Sequence, residues 1–177
     1  MEELIAKRYV KALLSGSDVV FAQNITVVFE SLAKSFSNEK FLNIVGSTEV
    51  DAAKKADLLL EAVKPAESER VNNFIKLLVE HKRINIIPAI AEELRKYVAN
   101  ATKTYNGTVY SDTEIQTNVL NDLSNGLSKK YDSKIVLAFE KIDFNGVKVE
   151  VDDLGIEINF SKDRINSQII EHIIKAI

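Results

Sequence analysis

Val71-Asn72-Asn73-Phe74-Ile75-Lys76-Leu77-Leu78-Val79-Glu80-His81 is the stretch on which the reading of this chain turns. Its apolar residues recur at three and four positions, the spacing of one face of an α-helix. With Leu77 included, the apolar arc widens to roughly 200°, about twice the stripe that packs one side of a surface helix. Two explanations are open: the helix is buried centrally among others, or it has a second apolar face for a groove that receives an amphipathic helix from another protein. The start of the chain repeats the pattern. There Lys7, Arg8 and Lys11 gather on one side, while Ile5, Ala6, Tyr9, Val10, Ala12, Leu13 and Leu14 cover roughly 200° of the rest.

Working outward, start and stop residues divide the first 104 or so positions into six helices. They run over about 2–14, 19–36, 39–45, 48–63, 66–82 and 88–103. Gly16 is a natural left-handed stop, Asp18 a cap, and Thr48 with Asp51 an acidic variant of the capping box. Pro65 and Pro88 sit at helix starts, where a missing N–H costs nothing. The short link 83–87 makes its two helices antiparallel neighbours.

At Tyr105-Asn106-Gly107 the character changes, because Asn-Gly signals a turn and Thr108-Val109-Tyr110-Ser111 reads as a short strand. Asp112 or Thr113 can cap a helix over 114–130, a strand follows over 134–140, and alternation over 147–151 and 156–160 marks a hairpin around Asp152-Asp153. Ser161 caps a last helix striped with Ile165, Ile169, Ile170, Ile173 and Ile174. The expected fold class is α+β: an N-terminal six-helix bundle over 1–105, then a small β-α-β-β-α domain over 106–177.

Composition narrows the function. The 177 residues contain no cysteine, which excludes a disulfide framework, a thiol nucleophile and Cys-ligated metal. Net charge is −3, with 15 basic and 14 acidic residues in 1–105 but 8 and 12 in 106–177, which opposes nucleic-acid binding and leaves other proteins as partners. Glycines are isolated, so no phosphate-cradling loop exists. The two histidines, in Glu80-His81 and Glu171-His172, lack metal-binding spacing. Asp152-Asp153 reads as turn chemistry rather than a catalytic carboxylate pair. The expectation is a non-enzyme with no cofactor and no bound metal. No apolar run is long enough to cross a bilayer, and the opening Met1-Glu2-Glu3 suits neither export nor import.

The segments Ala6-Lys7-Arg8-Tyr9-Val10-Lys11-Ala12-Leu13-Leu14 and Asn73-Phe74-Ile75-Lys76-Leu77-Leu78-Val79-Glu80-His81-Lys82-Arg83-Ile84, with Ile87-Pro88, resemble the delta-subunit family of F-type ATP synthase. Its mitochondrial counterpart is the oligomycin-sensitivity-conferring protein. The resemblance covers about residues 4–150. It implies a six-helix bundle that binds the N-terminal helix of an alpha subunit of the catalytic head, and a smaller domain that binds peripheral-stalk b subunits. The family's work is structural, tying the stationary head to the stalk so that rotor torque drives ATP synthesis. Its alpha-binding groove lies between the first and fifth helices, which are the two over-wide helices found above. On this reading the groove residues are Lys7, Tyr9, Lys11, Ala12, Leu13, Phe74, Leu77 and Leu78, with Lys7 and Lys11 pairing with acids on the bound helix. A Leu78→Glu change should then abolish docking while the chain stays helical.

The C-terminal end departs from the family pattern. Asp143-Phe144-Asn145-Gly146 and Asn159-Phe160-Ser161 stand where the family has a double glycine and Asp-Gly-Ser, and the last helix is Ile-rich rather than Arg-rich. Stalk contacts are therefore expected only from Ile169, Ile170 and Ile173. The chain is expected to reach the membrane only through its partners, on the cytoplasmic side of the bacterial inner membrane, and not to self-associate. The alternative is a soluble helical adaptor that binds an amphipathic helix and has no part in ATP synthesis.

Overall fold

The computed structural model describes residues 2–161. The chain divides into two compact units, with the boundary between Ala101 and Thr102. The fold mixes helix and sheet, with seven α-helices and one four-stranded sheet among the described residues.

The first unit holds α1 (Glu2–Leu13), α2 (Val19–Ser35), α3 (Glu39–Gly46), α4 (Ala52–Val63), α5 (Glu69–Glu80) and α6 (Ile87–Thr102). One apolar core draws on all six, including Ala6 and Val10, Ile25 and Phe29, Leu59, Ile75 and Leu78, and Ile90 and Leu94. Local chemistry sets the helix ends. Asp18 Oδ1 accepts from the Phe21 N–H at 2.8 Å to start α2, and Asn38 Oδ1 accepts from the Lys40 N–H at 2.9 Å to start α3. Gly16, at φ 72°, turns the chain between α1 and α2.

Two expected starts move. Thr48 and Asp51 form no capping box: Ser47 Oγ accepts the Glu49 N–H and the Ser47 carbonyl accepts from Lys55 Nζ, so α4 begins only at Ala52. Likewise Pro65 lies in a short 3-10 turn, Lys64–Ala66, and Glu67 then takes φ 44° before Ser68 caps α5 through the Val71 N–H. The fifth helix therefore starts at Glu69 rather than Ala66.

The second unit holds β1 (Thr104–Ser111), α7 (Thr117–Lys130), β2 (Lys134–Lys141), β3 (Gly146–Val151) and β4 (Ile156–Ser161), with sheet order β2-β1-β3-β4. β1 runs parallel to β2 through the α7 crossover and antiparallel to β3, and β3 and β4 form the hairpin. This makes four strands where β-α-β-β-α has three. The expected final helix lies outside the described residues. Asp112 and Thr113 do not cap α7, because the Thr113 hydroxyl donates to Asp112 Oδ1 at 3.1 Å and the Thr113 N–H to Ser111 Oγ. α7 is pinned instead through Ser128 Oγ, which accepts the Ile135 N–H at 2.9 Å. Among the described residues no helix is long and apolar enough to cross a membrane.

Asn106-Gly107 is strand rather than turn, lying inside β1 between two hydrogen-bonded neighbours. A Cβ at Gly107 would come within 2.6 Å of both the Glu150 carbonyl oxygen and Val151 Cγ2. Glycine is there because other chain segments crowd the site. Gly107→Val should destabilise the second unit by about 1–3 kcal/mol or more. Urea denaturation should show a lowered midpoint for the sheet with an unchanged transition for the helical unit, and an unshifted sheet transition would contradict the close approach.

Candidate functional site

α5 presents Arg70, Phe74, Leu77 and His81 at i, i+4, i+7 and i+11, one stripe of a helix and its C-cap. α1 carries Ile5, Tyr9 and Ala12 at i, i+4 and i+7, and Tyr9 of that stripe meets α5. Contacts at three levels along α1 fix the pair as antiparallel. Near the start of α1, Asn85 Nδ2, in the 3-10 turn Ile84–Ile86 just after α5, donates to Glu2 Oε1 at 2.8 Å. In the middle, the Tyr9 and Phe74 rings meet edge to face with centroids 5.9 Å apart, and the Tyr9 hydroxyl hydrogen-bonds His81 Nδ1 at 3.1 Å. At the far end Arg70 donates to the Leu13 carbonyl at 3.4 Å, to the Ser15 carbonyl at 3.2 Å and to Ser17 Oγ. Its guanidinium also lies 5.8 Å from the Phe21 ring centroid. Arg70 thereby satisfies carbonyls that the end of α1 would otherwise leave without partners.

The expected groove residues separate into three groups. Leu13, Phe74 and Leu78 are buried at 3%, 7% and 0% exposure, so they are core side chains and the floor of any groove, not its open wall. A carboxylate at Leu78 would enter the core and unfold it, so Leu78→Glu reports folding rather than docking. Tyr9 is half-buried, while Ala12 and Leu77 are exposed, Leu77 at 39%. These three mark the surface strip of the α1/α5 junction. Lys7 and Lys11 are elsewhere: they line a cleft between α1 and α6, facing Glu93, Lys96 and Tyr97. The expected stalk residues Ile169, Ile170 and Ile173 lie outside the described residues.

Sequence reasoning missed Arg70 and the Tyr9–His81 bond. The signal was present, because Arg70 and His81 continue the Phe74–Leu77 stripe at helical spacing, but polar residues were left out of the apolar arc.

The electrostatics elsewhere are local. The Arg95 hydrogen bond to Glu92 holds that carboxyl below its usual range. On the polar face of the sheet, hydrogen bonding to Glu150 raises Lys148, and the Asn159 amide, then Lys148, lowers Glu157. At the α1/α5 junction the polar groups are Arg70, His81 and Tyr9, which bond to each helix's neighbour and leave Leu77 and Ala12 as the apolar surface between them.

The sequence matches the family described as ATP synthase delta (OSCP) subunit over residues 5–167. The chain belongs to that family. The match runs past the expected limit near residue 150. Relatives described as ATP synthase subunit delta include one from Sulfurimonas denitrificans, 52% identical with both chains covered end to end, and one from Aliarcobacter butzleri, 39% identical over the same full extent. A chain in the cryo-EM structure of the Toxoplasma gondii mitochondrial ATP synthase hexamer shares the fold. Its TM-score is 0.63 at 17% identity, covering 93% of this chain and 97% of that one. The delta-family chain is therefore an ATP synthase subunit, and its partners are other subunits of that complex. An adaptor unconnected with ATP synthesis is set aside.

Phe74 touches both Tyr9 of α1 and Phe29 of α2, with both ring pairs at 5.9 Å. Phe74→Ala should cost about 3–5 kcal/mol in chemical denaturation. A loss below about 1 kcal/mol would show that Phe74 does not tie these helices together.

Proposed function

We propose that this delta-family chain is the non-catalytic stator connector of an F-type ATP synthase. Its first unit is a six-helix bundle that holds the N-terminal helix of an alpha subunit, and its second unit meets the peripheral-stalk b subunits. The carrying observation is the α1/α5 strip, where Tyr9, Ala12 and Leu77 remain accessible over a floor formed by Phe74. An amphipathic helix laid along it would place residues at i, i+3, i+4 and i+7 on these side chains.

The work asked of the site is mechanical. A helix that carries load needs walls that do not shift, and here Arg70 and the Tyr9–Phe74 ring contact fix α1 against α5, while the Glu2–Asn85 bond ties the start of α1 to the 3-10 turn (Ile84–Ile86) that follows α5. The groove is thus formed before the partner arrives, which reduces the ordering cost of binding. In the second unit, Phe160 is 54% exposed on β4 beside half-buried Ile158, an apolar surface suited to a stalk helix. Tied to the stalk in this way, the chain sits at the cytoplasmic side of a bacterial inner membrane through its partners and not by a contact of its own.

Leu77→Glu should weaken binding of a synthetic alpha N-terminal helix to the full chain by roughly thirty-fold or more, as for a hot-spot residue worth about 2 kcal/mol. Circular dichroism should remain that of the unaltered chain, because Leu77 is on the surface. Fluorescence anisotropy with labelled peptide makes the measurement, and equal affinity for both chains would remove the α1/α5 assignment.

A further inference from the structure

α1 has a second edge, turned toward α6. There Glu3, Lys7, Val10 and Lys11 of α1, with Leu14 just after it, face Glu93, Lys96, Tyr97 and Asn100 of α6 across a cleft of about 620 Å³. Its charges are unevenly satisfied. Lys96 lies between the two acids, 3.7 Å from Glu3 and 3.6 Å from Glu93, so a single lysine answers both carboxylates and braces α6 to α1. Lys7 and Lys11 are exposed and make no ion pair or hydrogen bond with any described residue. They stand one turn apart on the cleft wall, above the buried side chains of Val10 and Leu14, and Tyr97 faces them at 41% exposure.

We propose that this cleft is a second docking site, which takes an acidic amphipathic helix from another subunit of the assembled complex. The recognition chemistry follows from the spacing. Two ammonium groups at i and i+4 match two carboxylates at i and i+4 on a helix packed alongside, since such positions lie about 5–6 Å apart in both helices. The apolar side chain between those carboxylates would rest on Val10 and Leu14 and against the Tyr97 ring. The wall formed by α1 and the residue after it runs from Glu3 to Leu14, long enough for about three turns of partner helix at about 1.5 Å per residue. Two unpaired lysines in a chain of net charge −3 are too few to hold nucleic acid or an anionic lipid surface, and the buried carboxylate of the cleft, Glu93, is already answered by Lys96, so the lining does not define a small-molecule site.

The site is separate from the α1/α5 strip. Spacing places Ile5, Tyr9 and Ala12 on one edge of α1 and Lys7, Lys11 and Leu14 on the other, so one helix forms a wall of two grooves and can hold two segments at once.

The absence of cysteine makes the test direct, because Asn100→Cys supplies the chain's sole thiol. The purified variant is labelled with a benzophenone maleimide, reconstituted with the remaining synthase subunits, illuminated and digested for mass spectrometry. The expected product joins position 100 to a segment of another subunit that carries two Asp or Glu residues four apart. Adding Lys7→Glu and Lys11→Glu should reduce its yield about five-fold or more, as for loss of two exposed ion pairs turned to repulsion. The same label at Asn73→Cys, beside Leu77, should cross-link with unchanged yield. Thermal unfolding of the doubly reversed chain checks its fold, and the milder Lys7→Gln with Lys11→Gln replaces it if the helices melt early. No intersubunit product from position 100, a product whose segment lacks the acidic pair, or a yield indifferent to the lysines would each overturn the proposal. Product at position 100 without any at position 73 would keep this site and remove the α1/α5 reading, so the two fail separately.

Discussion

Phe74 is the side chain on which the first unit depends. Its ring lies edge to face with Tyr9 on one side and Phe29 on the other, so one residue of α5 holds α1 and α2 together. Such contacts add about 0.5–1.5 kcal/mol each beyond the area they bury. The consequence for function is positional. With Phe74 as the fixed point, Arg70 one turn before it takes the end of α1, and His81 beyond it takes the Tyr9 hydroxyl. The outer edge of the same stripe is Leu77, which belongs to the surface and is free for a partner. Core and docking face are thus adjacent strips of one helix.

The six helices and their order were legible in the sequence because amphipathic spacing and caps are local signals. Asp18 and Ser68 cap their helices through backbone N–H groups three residues on. The excess width of the α5 face was legible as well, but not which residue carried it. Leu77 and Leu78 are about 100° apart on the wheel, and either could be the outward one until the neighbours are placed. The structure buries Leu78 completely and leaves Leu77 out. Lys7 and Lys11 show the same limit: their grouping was evident, but the helix they face is set by α6, more than seventy-five residues away in sequence.

The second unit shows why long-range packing defeats local signals. Asn106-Gly107 has the chemistry of a turn, yet β2 and β3 flank β1 on both sides and crowd Gly107. Asp112 and Thr113 have the chemistry of a cap, yet they bond to each other and α7 begins without them. In each case the residue type suits two roles and the fold decides. The alternating strands 147–151 and 156–160 posed no such choice, because a period of two with one buried face sets the register of a hairpin by itself.

A chain whose helical core is tied at Phe74 and which keeps Leu77 and Tyr97 exposed beside that core fits a part that joins larger bodies. The central claim is that it joins two of them, a head and a stalk. Affinity capture with the intact chain from detergent-solubilised bacterial membranes, with the recovered subunits identified by mass spectrometry, tests this most directly. Recovery of both alpha and b subunits is the expected result. Consistent recovery of only one, or of neither, would contradict the account.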